Sequence, residues 1–145
     1  MPIAGQIFQV QAQIHRDVQR RATKLVTGMK NLPYENRTKI LGLPTLYYRR
    51  ERADMLQLFK IMNNYDNIDI KNIDRNSNTN TRGHSQKLNK KRSKSRFGQN
   101  RFSNRIVNNW NILSEYTVTA KSINIFKSGI NSDWKNRPLK FQPIN

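Results

Sequence analysis

Apolar residues recur at three- and four-residue steps near the start of the chain. The positions are Ile7, Val10, Ile14, Val18, Ala22, Leu25 and Met29. This spacing places them on one stripe of a helix, so it predicts an amphipathic helix from Gln6 to Met29. Arg16, Arg20 and Lys24 follow one another at four-residue steps on the opposite side, as a basic ridge. Its ordinary explanation is a solvated helix face, since Lys and Arg are common surface residues.

Two further helices are predicted before residue 64. Pro33 suits an early helical position and Gly42 a C-terminal cap, which frames a short helix from Tyr34 to Leu41. After the turn at Pro44, Thr45 suits the N-cap of a helix of about eighteen residues. The shared apolar face of that helix is formed by Tyr48, Met55, Phe59 and Met62. The arrangement loosely resembles a helix-turn-helix, but such spacing is common and packing explains it better than DNA reading.

Residues 65–99 lack an apolar period. The first part is rich in Asn, and the second part, Thr81 to Gln99, is basic. Polar composition without a period is typical of a mobile linker. For the basic part the sequence predicts extended structure, or a short hairpin around Ser85 to Ser95, with ordering on binding as a further option.

Helical periodicity returns in the last third of the chain. A stripe of Phe102, Ile106, Trp110 and Leu113 predicts a helix whose reverse face carries Arg101, Asn104, Arg105 and Asn108. Trp110 is interpreted as a core anchor, with base stacking as the alternative. Ser122 suits the N-cap of a final helix that aligns Ile123, Phe126, Ile130 and Trp134. Gly129 inside it costs about 1 kcal/mol relative to Ala, so this helix needs packing to hold.

Together these elements predict a mainly α-helical protein. An N-terminal three-helix cluster (1–64) and a C-terminal helix pair (100–145) are joined by a flexible, Asn-rich and basic, partly extended linker (65–99). The hydrophobic content of 35% and the mean hydropathy of −0.87 predict a small core. Whether the two clusters share one core is left open by the pattern.

Charged residues are distributed unevenly along the chain. Between Asp74 and Glu115 forty residues contain no Asp or Glu. The cations of this acid-free window are Arg75, Arg82, Lys87, Lys90, Lys91, Arg92, Lys94, Arg96, Arg101 and Arg105. The whole chain carries 27 Lys and Arg against 9 Asp and Glu, a net charge of +18. A nucleic-acid phosphate backbone is the partner this charge favours, and an anionic membrane surface is second.

Candidate phosphate-binding residues follow from the basic ridge and the acid-free window. They are Arg16, Arg20, Arg21, Lys24, Arg82, Lys87, Lys90, Lys91, Arg92, Lys94, Arg96, Arg101 and Arg105. The run from Lys87 to Arg96 also fits a nuclear-localisation signal, because both roles need only dense exposed positive charge. We therefore expect an intracellular, nuclear protein that binds RNA or DNA with low sequence specificity.

Catalytic chemistry finds no support in the sequence. Cysteine is absent, which excludes disulfides and Cys-based zinc sites, and the two histidines lie far apart. His84 beside Ser85 is interpreted as a loop histidine. Glu51 and Asp54 lie among arginines, which favours a surface ion-pair network over a metal site. Phosphate-binding glycine loops and long apolar runs are also missing, so we predict no enzyme activity, cofactor, metal or membrane span.

Several segments resemble a known family in order and spacing. They are RRATKLV (20–26), NLPYENR (31–37), LGLPTLYYRRERADMLQLFKI (41–61), TRGHSQKL (81–88), KRS (91–93), FSNRIVNNWNIL (102–113) and the Ser-Ile-x-x-Phe-Lys segment (122–127). Together they are similar to the region that follows the polymerase domain in reverse transcriptases of non-LTR retrotransposons, over roughly residues 19–134. The chain departs from the family in three respects. Tyr-x-Asp-Asp is absent, Ser114 replaces the family's Pro, and residues before about His15 lack the upstream thumb sequence.

The resemblance implies a fragment of an RNA-directed DNA polymerase without the polymerase active site. Such a tail would grip template RNA, target DNA or their hybrid, while its helical faces dock on the polymerase thumb domain. The alternative is an inactive structural relic that only packed on that thumb. A third interpretation, an enzyme in its own right, has no motif to support it.

Overall fold

The computed structural model describes residues 17–68, 73–78 and 81–136, and these are mainly helical, as predicted. Helix α1 is described over 17–24. The other helices are α2 (Tyr34–Ile40), α3 (Leu46–Met62), α4 (Arg96–Asn100), α5 (Phe102–Asn111), α6 (Glu115–Val118) and α7 (Ile123–Asp133). Strands β1 (Asp74–Arg75) and β2 (Leu88–Asn89) pair antiparallel, with Asp74 opposite Asn89.

The described residues form two compact units, 17–50 and 51–136, with the boundary inside α3. This division differs from the predicted boundaries at 64 and 99. The rings of Phe59 in α3 and Phe126 in α7 stack with centroids 4.2 Å apart. Most of α3 therefore shares a core with the C-terminal helices, and the segment predicted as a linker belongs to that same unit.

The predicted first helix is wrong at its C-terminal end. Helical structure stops at residue 24 instead of continuing to Met29, and Leu25 is 87% exposed rather than on a buried stripe. The carbonyl of Arg20 accepts the Thr23 hydroxyl at 3.1 Å and the buried Arg37 guanidinium at 3.3 Å. Beyond residue 24 the chain turns, and the Leu25 N–H donates to the Ala22 carbonyl at 3.1 Å. The predicted stretch from Gln6 to residue 16 lies outside the described residues.

The next two helices match their predictions closely. Gly42 follows α2 with φ +62°, a left-handed conformation that costs glycine little. Thr45 caps α3, because its hydroxyl oxygen accepts the backbone N–H of Tyr48 at 3.2 Å. The predicted apolar face of α3 is buried at Tyr48, Met55 and Phe59, whereas Met62 is half-buried.

The basic segment, residues 81–99, is hydrogen-bonded to α5 and does not fold on itself as a hairpin. Its strand β2 pairs with β1 from the Asn-rich stretch. On its other side, the Asn111 side chain accepts the N–H of Leu88 and donates to the Leu88 carbonyl, both at 2.9 Å. The Asn111 amide thus takes the place of a neighbouring strand. The predicted free linker is corrected to a segment bonded to a helix.

Ser114 forms a cap at the position where the resembling family has Pro. Its hydroxyl oxygen accepts the N–H of Thr117 at the start of α6, and its own N–H donates to Asp133 at 2.9 Å. Asp133 also accepts the Thr117 hydroxyl at 2.8 Å. Proline has no N–H, so the bond to Asp133 depends on this departure from the family.

Gly129 lies where α7 crosses α6, and Gly129→Ala is expected to destabilise the protein by about 1–2 kcal/mol. A Cβ there would sit 2.4 Å from the hydroxyl oxygen of the fully buried Thr117. Overpacking of this kind costs about 1–3 kcal/mol and outweighs a gain of about 1 kcal/mol in helix propensity. Thermal or urea unfolding measures the change. Ser128→Ala, exposed on the same helix, should stay within about 0.5 kcal/mol; a stabilised Gly129→Ala variant would contradict the close packing.

Candidate nucleic-acid interface

Six exposed cations of the second unit form what we call the basic strip: Lys90, Lys91, Arg92, Lys94, Arg96 and Arg101. The first four lie on the loop 90–95 that follows β2. Arg96 begins α4, and Arg101 lies between α4 and α5. The structure therefore places six of the predicted residues on one continuous stretch of surface backbone.

A network of short-range bonds orders the backbone under the strip. Ser95 caps α4 by accepting the N–H of Gly98 at 3.1 Å, and the Gln99 amide donates to the Ser93 carbonyl at 3.3 Å. From α5, the Asn104 amide donates to the Gly98 carbonyl at 2.8 Å. Asn104 was predicted on the outward face but is buried, because it holds α4 against α5.

A shallow depression of about 310 Å³ opens beside this network. It is lined by Lys90, Lys91, Arg92, Ser93, Gln99 and Asn104. The residues that line this concavity carry two ammonium groups, one guanidinium group, and amide and hydroxyl donors. Such a donor set suits phosphate oxygens, which accept hydrogen bonds and carry negative charge.

The beginning of the basic segment is fixed in the core by His84, which was predicted to be a loop histidine. Its ring is buried; Nε2 donates to the Trp110 carbonyl at 2.9 Å and Nδ1 accepts the N–H of Gln86 at 3.1 Å. The Trp110 indole N–H in turn donates to the Gln86 carbonyl at 2.7 Å. These reciprocal bonds fix the start of the segment to α5.

Glu115 provides a second attachment for the same segment. Its carboxylate accepts both the N–H and the hydroxyl of Ser85, at 2.7 and 2.6 Å. Hydrogen bonds to the charged form favour it, so the Ser85 hydroxyl and then the Ser85 N–H lower the pKa of Glu115. The loop before the strip is therefore best anchored when Glu115 is ionised.

Most of the described carboxylates of the second unit accept hydrogen bonds away from the strip. Glu51 accepts the Asn109 amide, Asp66 the Gln57 amide, and Asp133 the donors of α6. Within residues 51–68, 73–78 and 81–136, no carboxylate forms an ion pair with a cation of the strip. The positive charge of the strip is thus not neutralised by the described part of its own unit.

Arg105 was predicted to bind phosphate, but in the structure its guanidinium pairs with a carboxylate. Its guanidinium forms a two-pronged ion pair with Asp54 of α3, at 2.7 and 2.8 Å. The hydrogen bond to Asp54 raises the pKa of Arg105, although partial burial opposes the shift. The ion pair between α3 and α5 also replaces the network of neighbouring arginines expected around Asp54.

Arg105→Ala is expected to weaken nucleic-acid binding less than Arg92→Ala does. Asp54 already holds the Arg105 guanidinium, whereas Arg92 faces the depression without a carboxylate partner. One phosphate contact contributes about fivefold in affinity at about 0.15 M salt, so Arg92→Ala should lose about that and Arg105→Ala twofold or less. Titrations of both variants against one labelled oligonucleotide measure the difference, and equal losses would contradict the assignment.

The remaining candidates are not collected on the strip. Arg82 is exposed and Lys87 is half-buried, with its side chain lying over Gly83. Arg20, Arg21 and Lys24 are exposed in the first unit, and Arg16 lies outside the described residues. The Arg20 guanidinium lies 5.3 Å from the centre of the Tyr34 ring.

Over the described ranges, no group of three or more His, Asp or Glu side chains is arranged to hold a metal ion. None of the helices in these ranges combines the length and apolar content that crossing a bilayer requires.

Comparison of the chain with protein-family models, curated proteins and solved structures finds no match. The similarity to the post-polymerase region of non-LTR reverse transcriptases therefore stays a prediction that rests on the order and spacing of the matching segments.

Proposed function

We propose that this protein is a non-catalytic module that binds the phosphate backbone of RNA or DNA, as the C-terminal tail of a retrotransposon reverse transcriptase. The observation that carries the proposal is the basic strip. Six exposed cations lie on a backbone ordered by Ser95, Gly98 and Asn104, and no described carboxylate of the unit forms an ion pair with them. A surface of this kind attracts a polyanion.

Binding would be driven by release of counterions from the nucleic acid. Each phosphate that a Lys or Arg neutralises frees condensed cations, so affinity falls steeply as salt rises. The ordered loop reduces the entropy cost of binding, because its backbone does not have to be arranged first. The same basic run, residues 87–96, also fits a nuclear-localisation signal, which is why we expect a nuclear protein.

Low sequence specificity follows from the chemistry of the strip. Ammonium and guanidinium groups on a loop reach phosphates, which are the same in every sequence. Sequence reading requires hydrogen bonds to base edges in a groove, made by an inserted helix or ribbon. The strip is formed by a loop and by α4, a helix of five residues.

As the tail of a reverse transcriptase, the protein would also dock on the polymerase thumb domain, and the first unit supports this. Val18, Leu25 and Ile40 expose most of their apolar surface there. Exposed apolar residues that occur in contiguous groups often mark surfaces that contact another protein. The same residues favour the alternative function, a structural relic that only packed on the thumb.

Titration of labelled single-stranded RNA, duplex DNA and RNA–DNA hybrid, each in two unrelated sequences, tests the proposal. We expect submicromolar binding near physiological salt, with closely similar affinities for the two sequences of each type. Negligible binding to all three types would favour the structural relic. Circular dichroism and hydrogen exchange on the same sample show whether the helices hold without a partner.

A further inference from the structure

Phe97 is an exposed aromatic residue in the middle of the basic strip. It lies in α4 between Arg96 and Gly98, and 57% of its surface is accessible. Trp110, for which base stacking was the alternative to a core position, is fully buried. Among the aromatic residues of the acid-free window, Phe97 is the one that the structure exposes, since Phe102 is half-buried.

The backbone that presents Phe97 is held tightly. The Ser95 hydroxyl caps the helix, and the Gly98 carbonyl that follows Phe97 accepts the Asn104 amide. At Gly98 a Cβ would lie 1.9 Å from the Ser93 hydroxyl oxygen, so only glycine permits this close approach. A large apolar side chain is therefore held in solvent by an ordered turn rather than by a loose loop.

Arg101 covers part of the Phe97 ring. Its guanidinium carbon lies 5.2 Å from the ring centroid, within the range of a cation–π contact. The guanidinium orients the ring and places a positive charge over one of its faces. The ring thus lies among the residues of the basic strip, between Arg96 in sequence and Arg101 over its face. Proteins that bind single strands combine aromatic faces for bases with cations for phosphates in this way.

From this geometry we infer that Phe97 is a stacking platform for an unpaired base, so that the strip binds single-stranded RNA or DNA in preference to duplex. The inference rests on the proposed function and adds its substrate class. Bases in a duplex are already stacked on their neighbours and do not offer a free face to the ring. An unpaired base does, while its flanking phosphates contact the strip.

Phe97→Ala and Phe97→Leu test the inference against single-stranded RNA, single-stranded DNA and duplex DNA of equal length. We expect both variants to lose at least about fivefold in affinity for single strands, the lower end for one stacked base, and to lose little for duplex. Leu keeps apolar volume without an aromatic face, so it separates stacking from general apolar contact. A loss with RNA alone or DNA alone supports the inference and identifies which strand is bound.

Salt dependence separates stacking from damage to the strip. Stacking involves no ion release, so the slope of log affinity against log salt should be the same for Phe97→Leu and for the unchanged protein. Tyr116, 68% exposed on α6 and outside the strip, supplies the matched control, and Tyr116→Leu should bind single strands normally. Equal losses for single strands and duplex, or a reduced slope, would overturn the inference.

Phe97→Trp gives a direct optical readout. The two natural tryptophans, Trp110 and Trp134, are both buried, so the new indole is the exposed fluorophore. It should bind single strands at least as well as the unchanged protein and be quenched by them but not by duplex. If the unchanged protein binds duplex and single strands equally well, the stacking inference fails and the proposed function stands. If it binds neither, both fail.

Discussion

Replacing Lys90, Lys91 and Arg92 together by alanine is expected to weaken binding to every nucleic acid by on the order of a hundredfold at about 0.15 M salt. These three residues line the depression beside α4 and lack a carboxylate partner among the described residues. Each lost phosphate contact also lowers the magnitude of the log–log salt slope by about 0.9 on B-DNA, so the slope should fall by about 2.7. Because phosphates carry no sequence information, all sequences should lose affinity alike.

A control with the same change in net charge separates the basic strip from the general charge of the protein. Lys121, Lys127 and Lys135 are exposed in the same unit but outside the strip. Their triple alanine variant should lose only a few-fold in affinity. Equal losses in the two triple variants would show that net charge, and not the strip, carries binding. A strip variant that lost discrimination between sequences would contradict backbone recognition.

The largest expected effect on stability comes from Trp110. Its side chain is fully buried, its ring centroid lies 6.0 Å from that of Phe126, and its indole N–H donates to the Gln86 carbonyl. Truncation of a buried Trp to Ala typically costs about 3–5 kcal/mol, a large share of the stability of a small domain. Trp110→Ala should therefore unfold the second unit at much lower urea concentration.

The same variant should release the basic segment, because the Trp110 indole N–H holds the Gln86 carbonyl and the Trp110 ring packs edge-on against the ring of His84. Hydrogen exchange should then increase at residues 84–89 as well as in α5. Trp110→Phe keeps most of the ring but leaves the Gln86 carbonyl without its donor, and should cost about 1–3 kcal/mol. Ile112, two residues from Trp110, is 66% exposed, so Ile112→Ala should change stability by less than about 0.5 kcal/mol. An equal effect of the Ile112 and Trp110 variants would contradict the core assignment.

Features that depend on nearby residues were predictable from the sequence. Thr45 and Ser122 cap α3 and α7 as expected, since a side chain and an N–H three residues away decide a cap. The apolar stripes of α5 and α7 also gave Trp110, Phe126 and Ile130 correctly as buried residues. In each case the signal lies within a few turns of the helix.

Features that depend on contacts between distant residues were not predictable in this way. The burial of Arg37 depends on α1, because its guanidinium donates to the Arg20 carbonyl seventeen residues away. The burial of His84 depends on Trp110, and the pairing of β2 depends on β1 and Asn111. No periodicity within the basic segment encodes these partners.

The distribution of charge along the sequence located the candidate site, but it did not identify which side chains are available to a ligand. The cations of the acid-free window include those of the strip and also Arg105, which pairs with Asp54, 51 residues away in the sequence. Exposure of Phe97 follows from the close approach at Gly98 and the bond from Asn104, neither of which a helical pattern reveals. The sequence therefore indicates the kind of partner, and the fold indicates which side chains are available to it.

The most direct test of the account is the affinity of the unchanged protein for single-stranded RNA, duplex DNA and hybrid across a salt series. A module that neutralises several phosphates should bind with submicromolar affinity near physiological salt, and its affinity should fall steeply and linearly on a log–log plot, by about 0.9 per phosphate on B-DNA. Weak binding with a flat salt dependence would contradict backbone recognition by the basic strip and leave the structural relic as the better interpretation.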